Sequence, residues 1–166
     1  MNQFEKVSFE QFRKDMQANW DIEDENKVLE IYNSIQLPRR GTSGSAGYDF
    51  YMPFQLKMCQ SSFATVPTGI RVKIDHGMFL MCVPRSGLGF KYGCRLVNTC
   101  GIIDEDYYYA DNEGHIMAKI TCDKGFKLAS GDRFMQGIFV PYAVTADDDP
   151  IASERTGGFG STGGTS

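Results

Sequence analysis

From residue 36 to residue 152 the chain is a succession of short β-prone runs cut by Gly, Pro, Asp and Asn. SFATV, GIRVKI, MFLMCV, HIMAKITC and QGIFVPYAV are too short for typical helices and rich in the branched and aromatic side chains that suit a pleated surface. Many short strands at this spacing predict an all-β sandwich, jelly roll or barrel. The two ends read differently. Residues 1–35 are helical in character: Ser8 and Gln11 have the capping-box form, and Phe9, Phe12, Met16 and Trp20 recur at spacings of three and four. A second helix is expected from about Asp24, with Val28, Leu29, Tyr32 and Ile35 on one side, ending before Pro38. This apolar stripe suits a cap on the core, a subunit contact or a partner surface. Residues 153–166, SERTGGFGSTGGTS, have the composition of a flexible arm. Arg155 and Phe159 have no place in a plain linker.

The bulk properties narrow the function. At 166 residues, 42% hydrophobic and 23% charged, the chain fits one globular domain. A net charge of −4 argues against direct nucleic-acid binding. A polyanionic small substrate can still be held at a local site with a metal. No apolar run is long enough to span a bilayer, and the start, MNQFEKVSFEQF, lacks a signal-peptide core. A cytoplasmic protein with no membrane contact is expected. The five cysteines form no CxxC pair and only two histidines accompany them, so reduced thiols are expected rather than a zinc site.

Five ordered segments carry chemistry-bearing residues. In GSAGYDF (44–50), Asp49 offers a carboxylate to a hard cation or its water shell; a structural turn Asp is the alternative. In PRSGLG (84–89), Arg85 brings a charged fork, while Ser86 and the Gly87 backbone bring donors where glycine admits a phosphate. In NTCGIIDEDY (98–107), a strand-turn-strand would offer backbone groups and Asn98 to a base, and Asp104 is placed to deprotonate water. The bland reading is an acidic hairpin tip. GDRFMQ (131–136) is a turn entering a strand, with Gln136 a neutral donor to an anion. GGFGSTGG (157–164) has glycines that let backbone wrap phosphates, hydroxyls from Ser161 and Thr162, and Phe159 to stack on a base. It has no Gly-Lys-Ser/Thr ending and is not a P-loop.

Taken in order, AGYDF, PRSGL, NTCGIIDEDY, GDRFMQ and GGFGSTG closely resemble the five motifs of the trimeric dUTPase family, phage and prophage forms included. The resemblance implies a homotrimeric jelly-roll or β-clip fold and Mg2+-dependent hydrolysis of dUTP to dUMP and pyrophosphate. That activity limits uracil in DNA and supplies dUMP for dTMP synthesis. It also implies residue roles. Asp104 would be the general base for water attack on the α-phosphorus. Asn98, with backbone around Ile102, Ile103 and Met117, would hold uracil. Tyr107 would pack on deoxyribose and exclude a 2′-hydroxyl, and Arg85, Ser86, Gly87 and Gln136 would hold phosphates. Asp49 would reach Mg2+ through water, the ion being held mainly by the triphosphate. The arm would cross to another subunit, placing Phe159 over uracil and Arg155, Gly160, Ser161 and Thr162 near the phosphates.

The chain departs from the family pattern in three places. DYYYADNEGHI replaces DYRGEI and is several residues longer; the spacing after Arg155 is shorter; and a helical extension replaces the β-strand with which the family often begins. Two other functions compete. A dCTP deaminase shares the fold but needs a Glu after the hairpin, where MAKITC has none. A regulatory dUTPase-like protein would bind nucleotide or a partner protein through the extension.

Overall fold

The computed structural model describes residues 1–150; the arm residues Arg155, Phe159, Gly160, Ser161 and Thr162 lie outside them. Strand β1 (Gln3–Lys6) precedes helices α1 (Phe9–Asn19) and α2 (Glu25–Ser34). Then come β2 (Arg39–Arg40), β3 (Tyr48–Tyr51), β4 (Leu56–Met58), β5 (Phe63–Pro67), β6 (Ile70–Lys73) and β7 (Met78–Pro84). Helix α3 (Ser86–Tyr92) leads to β8 (Arg95–Leu96) and β9 (Gly101–Ile103). A 3-10 helix (Glu105–Tyr109) is followed by β10 (Met117–Thr121), β11 (Phe126–Leu128) and β12 (Arg133–Pro141).

Among the described residues the strands form a five-stranded sheet, β2-β3-β12-β7-β9, a three-stranded sheet, β5-β10-β8, and the ribbons β1-β6 and β11-β4. The ladders between them are antiparallel. Alternation explains why these segments are strands. Ala118 and Ile120 face the core while Lys119 faces out, and Leu56, Met58, Phe126 and Leu128 are buried around exposed Lys57 and Lys127. Phe50, Leu80, Phe134 and Met135 of the five-stranded sheet share one buried core with Val66, Ala118 and Ile120 of the three-stranded sheet. Each side chain of this size contributes roughly 1.5–3 kcal/mol by leaving water. No helix among the described residues is long and apolar enough to cross a membrane.

The first 35 residues are not helical throughout. They begin with a strand, β1, which pairs with β6 in the register Gln3↔Lys73 to Lys6↔Ile70. QFEK is too short for its alternation to register in the sequence, yet Phe4 packs among Tyr48, Phe50 and Phe139. Both helices then lie on the core: Phe12, Met16 and Val28 are fully buried, with Phe9, Trp20, Ile31 and Tyr32 packed beside them. Leu29, expected on the buried side of α2, is exposed. At 100° per residue the stripe through Val28, Tyr32 and Ile35 takes in Ile31 and leaves position 29 outside.

The capping box at α1 is completed from elsewhere in the chain. Ser8 Oγ accepts from Gln11 N at 3.1 Å, but the Gln11 side chain donates to Asp15 at 2.7 Å instead of reaching back. Glu113 takes that place, accepting from Ser8 N at 2.7 Å and Ser8 Oγ at 2.6 Å. Burial opposes ionisation of Glu113, but the two Ser8 bonds together with nearby positive charge, Arg71 foremost, hold its carboxyl below the ordinary 4.5. A carboxyl lowered on folding stabilises fully above its unfolded pKa and loses that contribution as pH falls through the folded value. Glu113→Gln should therefore lower Tm at pH 6, and the gap from the parent chain should shrink toward pH 3. A gap that stays constant in thermal melts across that range would refute the cap.

Candidate active site

Three neighbouring strands assemble the first part of the site. In the order β3-β12-β7, Gln136 lies opposite Asp49 on one side and Val83 on the other, so the Asp49 and Gln136 side chains share a face. Arg85 follows β7 directly, its N–H bonded to Phe134 O at 3.0 Å. Asp49 is 3% exposed and is gripped by two guanidinium groups. Its Oδ1 accepts from Arg85 Nη1, and its Oδ2 accepts from Arg133 Nη1 at 3.3 Å. A carboxylate buried in this way is tolerable because both oxygens are paired, and in return it fixes the Arg85 fork.

The residues after Arg85 form the first turn of α3. Arg85 occupies the N-cap position, so the N–H groups of Ser86 and Gly87 fall among those that a helix leaves without intrahelical acceptors. Beside them is an open depression of about 380 Å3 lined by Arg85, Lys91, Lys127 and Arg133, with Asp132 the acidic member. Four cations around one hollow on a chain of net charge −4 make a local site for a polyanion. Sequence reasoning missed Lys91, Lys127 and Arg133, because they come from three separate elements. Arg133 had a signal, since it sits inside GDRFMQ.

Gly47 makes room for Gln136. A Cβ there would stand 2.5 Å from Gln136 Oε1, 3.2 Å from its Cδ and 3.3 Å from its Cβ. The Gln136 backbone is held in ladders on both sides, so the carboxamide has to move. Gly47→Ala should raise KM for the nucleotide by roughly three- to tenfold and cost about 1–3 kcal/mol of stability, as overpacking does. Unchanged KM and Tm would show that Gln136 is not confined there.

The segment 98–107 does not make a simple hairpin with an acidic tip. β8 pairs with β10 in one sheet, a tight turn closes through Leu96↔Thr99, and β9 pairs with β7 in the other sheet. Asn98 is exposed on that turn and Ile102 is exposed on β9, while Ile103 is partly buried against the core. Asp104 precedes the 3-10 helix and lines an open depression of about 330 Å3 with Glu105, Asp106 and Tyr142. Glu105 is engaged by His76 Nδ1 at 2.9 Å.

Tyr107 is 4% exposed; its hydroxyl donates to His115 O at 2.9 Å and accepts from Asn112 Nδ2 at 2.7 Å. The adjacent tyrosines differ. Tyr108 is occupied by Glu5, at 2.8 Å, and by the Arg71 guanidinium 4.5 Å from its ring centre, whereas Tyr109 is exposed. Met117 opens β10 opposite Pro67 and lines a depression of about 440 Å3 together with Asp15, Asn19, Thr65, Asn112 and Lys119.

The candidates for phosphate, metal and base chemistry among the described residues therefore fall into two groups. Asp49, Arg85, Ser86, Gly87 and Gln136 gather at the Pro84 end of β7. Asp104 follows Ile103, which pairs with Leu80 toward the other end. Leu80 and Pro84 are about 13 Å apart at strand rise; Asp49 and Gln136 are level with Val83, Arg85 to Gly87 follow Pro84, and Asp104 lies past Leu80 in the opposite direction.

A family model for dUTPase matches residues 33–163. The deoxyuridine 5'-triphosphate nucleotidohydrolase of Lactococcus lactis is 38% identical over 133 residues, covering 78% of this chain and 89% of that protein. The protein of the same name from Chromobacterium violaceum is 37% identical over 157 residues, covering 89% and 99%. Among solved structures, dUTPase from Streptococcus mutans superposes with a TM-score of 0.63 at 31% identity, covering 86% of this chain and 97% of that one. The dUTPase of Staphylococcus aureus phage phi11 shares the fold, with a TM-score of 0.62 at 16% identity over 92% of this chain and 97% of its own.

Proposed function

The chain belongs to the dUTPase family, and from that premise we propose that it hydrolyses dUTP to dUMP and pyrophosphate at a site shared between copies of a homotrimer. The observation that carries the shared site is the separation along β7. The cationic hollow sits at the Pro84 end and Asp104 beyond the Leu80 end. In-line attack needs water within about 3–3.5 Å of the phosphorus. A closed ring, in which one copy offers its cationic hollow and its neighbour offers Asp104, meets that need. Phe90 and Phe63, large apolar side chains left 94% and 63% exposed, suit burial between copies.

In this mechanism Arg85 and Gln136, with the Ser86 and Gly87 N–H groups, hold the phosphates. Asp104 takes a proton from water as its oxygen bonds to the α-phosphorus, the bridging P–O bond breaks, and pyrophosphate departs. Asn98 and the backbone at Ile102, Ile103 and Met117 bind uracil. Tyr107, nearly covered and bonded at its hydroxyl, is a rigid wall against a 2′-hydroxyl. The arm residues Arg155, Phe159, Gly160, Ser161 and Thr162 close over the nucleotide and exclude bulk water.

A Mg2+ ion fits this site as a companion of the substrate. Among the described residues no group of three or more His, Cys, Asp or Glu could hold a metal. Mg2+ commonly keeps several waters and binds one or two carboxylates plus substrate phosphates. Asp49, bonded to the Arg85 and Arg133 side chains that line the hollow, would hold such a shell: both its oxygens are paired with arginine, yet each retains a second lone pair for a metal-bound water. Bound there, the ion would neutralise triphosphate charge.

The test is a substrate panel with Mg2+: dUTP, dCTP, dTTP and UTP, with pyrophosphate and ammonia measured separately. Pyrophosphate from dUTP well above the other three is expected. Ammonia from dCTP, or no preference among the four, would overturn the reading.

A further inference from the structure

Two of the three departures from the family pattern, the N-terminal extension and the longer segment after Tyr107, are bonded to each other. Glu5 on β1 meets Tyr108 and Arg71. Ser8 is capped by Glu113. Asp15, in the middle of α1, accepts from His115 across 100 residues of sequence. The His115 side chain is fully buried, and both ring nitrogens are used. Nε2 accepts from Gly69 N at 2.8 Å, which places the proton on Nδ1, facing Asp15. The Asp15 carboxylate is itself steadied by Gln11 Nε2 at 2.7 Å.

His115 also touches the site. Its carbonyl receives the Tyr107 hydroxyl, and Asn112, three residues earlier, donates to that hydroxyl. The loop between them returns tightly over Tyr107. Gly114 has φ +70°, and a Cβ there would lie 2.7 Å from Tyr107 O and 2.8 Å from Tyr108 Cα. A ring held through its hydroxyl moves only as far as the carbonyl that holds it.

We infer that α1 is a positioning element for sugar selection: Asp15, acting through His115, fixes the carbonyl that anchors Tyr107. The inference rests on the reading of Tyr107 as the wall against a 2′-hydroxyl. Asp15 and His115 touch no reacting atom in this scheme. Their effect is to keep the wall from yielding to a ribose.

The experiment measures kcat/KM for dUTP and for UTP in the full chain, with Tm alongside. Asp15→Ala should narrow the dUTP preference by roughly three- to tenfold, chiefly through a lower KM for UTP, as expected when a steric filter loosens. Asp15→Asn, whose carbonyl oxygen can still accept from Nδ1, should restore most of it. Trp20→Phe removes the bond from Trp20 Nε1 to Thr65 O at the far end of α1, so it should lower Tm without moving the ratio. Asp15→Ser, too short to reach the ring, carries the same expectation should Asp15→Ala not fold. A ratio unchanged in the Asp15 variants while Tyr107→Ala narrows it overturns the inference, as does an equal shift in Trp20→Phe. A ratio unchanged in Tyr107→Ala sinks the sugar-wall reading itself.

Discussion

Asp104→Asn should lower dUTP turnover by roughly 10²–10⁴-fold, the loss expected when a general base is removed at constant shape. Three carboxylates stand in a row at 104–106, and their surroundings separate them. Glu105 is engaged by His76, whose imidazole is held above its ordinary 6.5 by that hydrogen bond and charge. Asp106 is exposed. Asp104, at the turn between β9 and the 3-10 helix, is fixed by strand pairing on one side and by its own carbonyl on the other, which accepts from Tyr107 N at 3.2 Å. Backbone held at both ends is what a base needs if it is to meet a water repeatedly in one geometry. Asp106→Asn should therefore change turnover by less than about tenfold. Affinity for a non-hydrolysable dUTP analogue should be nearly unchanged in Asp104→Asn. A turnover close to that of the parent chain in that variant would remove Asp104 from the mechanism.

Subunit mixing should produce the other large effect. Arg85→Ala and Asp104→Asn should each be nearly inactive alone, since one lacks the phosphate clamp and the other the base. If the clamp and the base of one site come from different copies, a mixed ring contains sites in which both are intact. With equal amounts unfolded together and refolded at random, the clamp-bearing copy carries Arg85 half of the time, and its neighbour carries Asp104 half of the time. About one quarter of parental activity should return. Were both groups supplied by the same copy, every site would lack one of them. Activity at the background of the separate variants, in rings proven to be mixed, would then contradict the shared site.

Local signals made much of this architecture readable. The β-prone runs became β5, β6, β7, β10 and β12, and the caps at Ser8 and Asp24 start α1 and α2. Both depend on residues within a few positions of one another, which periodicity and capping chemistry can see. The candidate residues of the described motifs were readable for a related reason: each motif is a short continuous run of sequence. What the sequence hid was long-range. β1 is four residues long, and its partner β6 lies far along the chain. The cationic hollow draws Lys91 from α3, Lys127 from β11 and Arg133 from β12, and no spacing rule links them. The Asp15–His115 contact spans 100 residues. His115, at the head of the β-prone run HIMAKITC, lies just before β10, where its buried ring is satisfied by a carboxylate from α1 and the Gly69 N–H. Position of the extension relative to the core was equally illegible, since an amphipathic stripe declares that it is covered without naming what covers it.

The most direct test of the account is product analysis with the purified full chain, dUTP and Mg2+ in 18O-labelled water. Equal amounts of dUMP and pyrophosphate, with the heavy oxygen in dUMP, are the predicted result, because the attacking water bonds to the α-phosphorus. Label in pyrophosphate, or release of dUDP and inorganic phosphate, would contradict it.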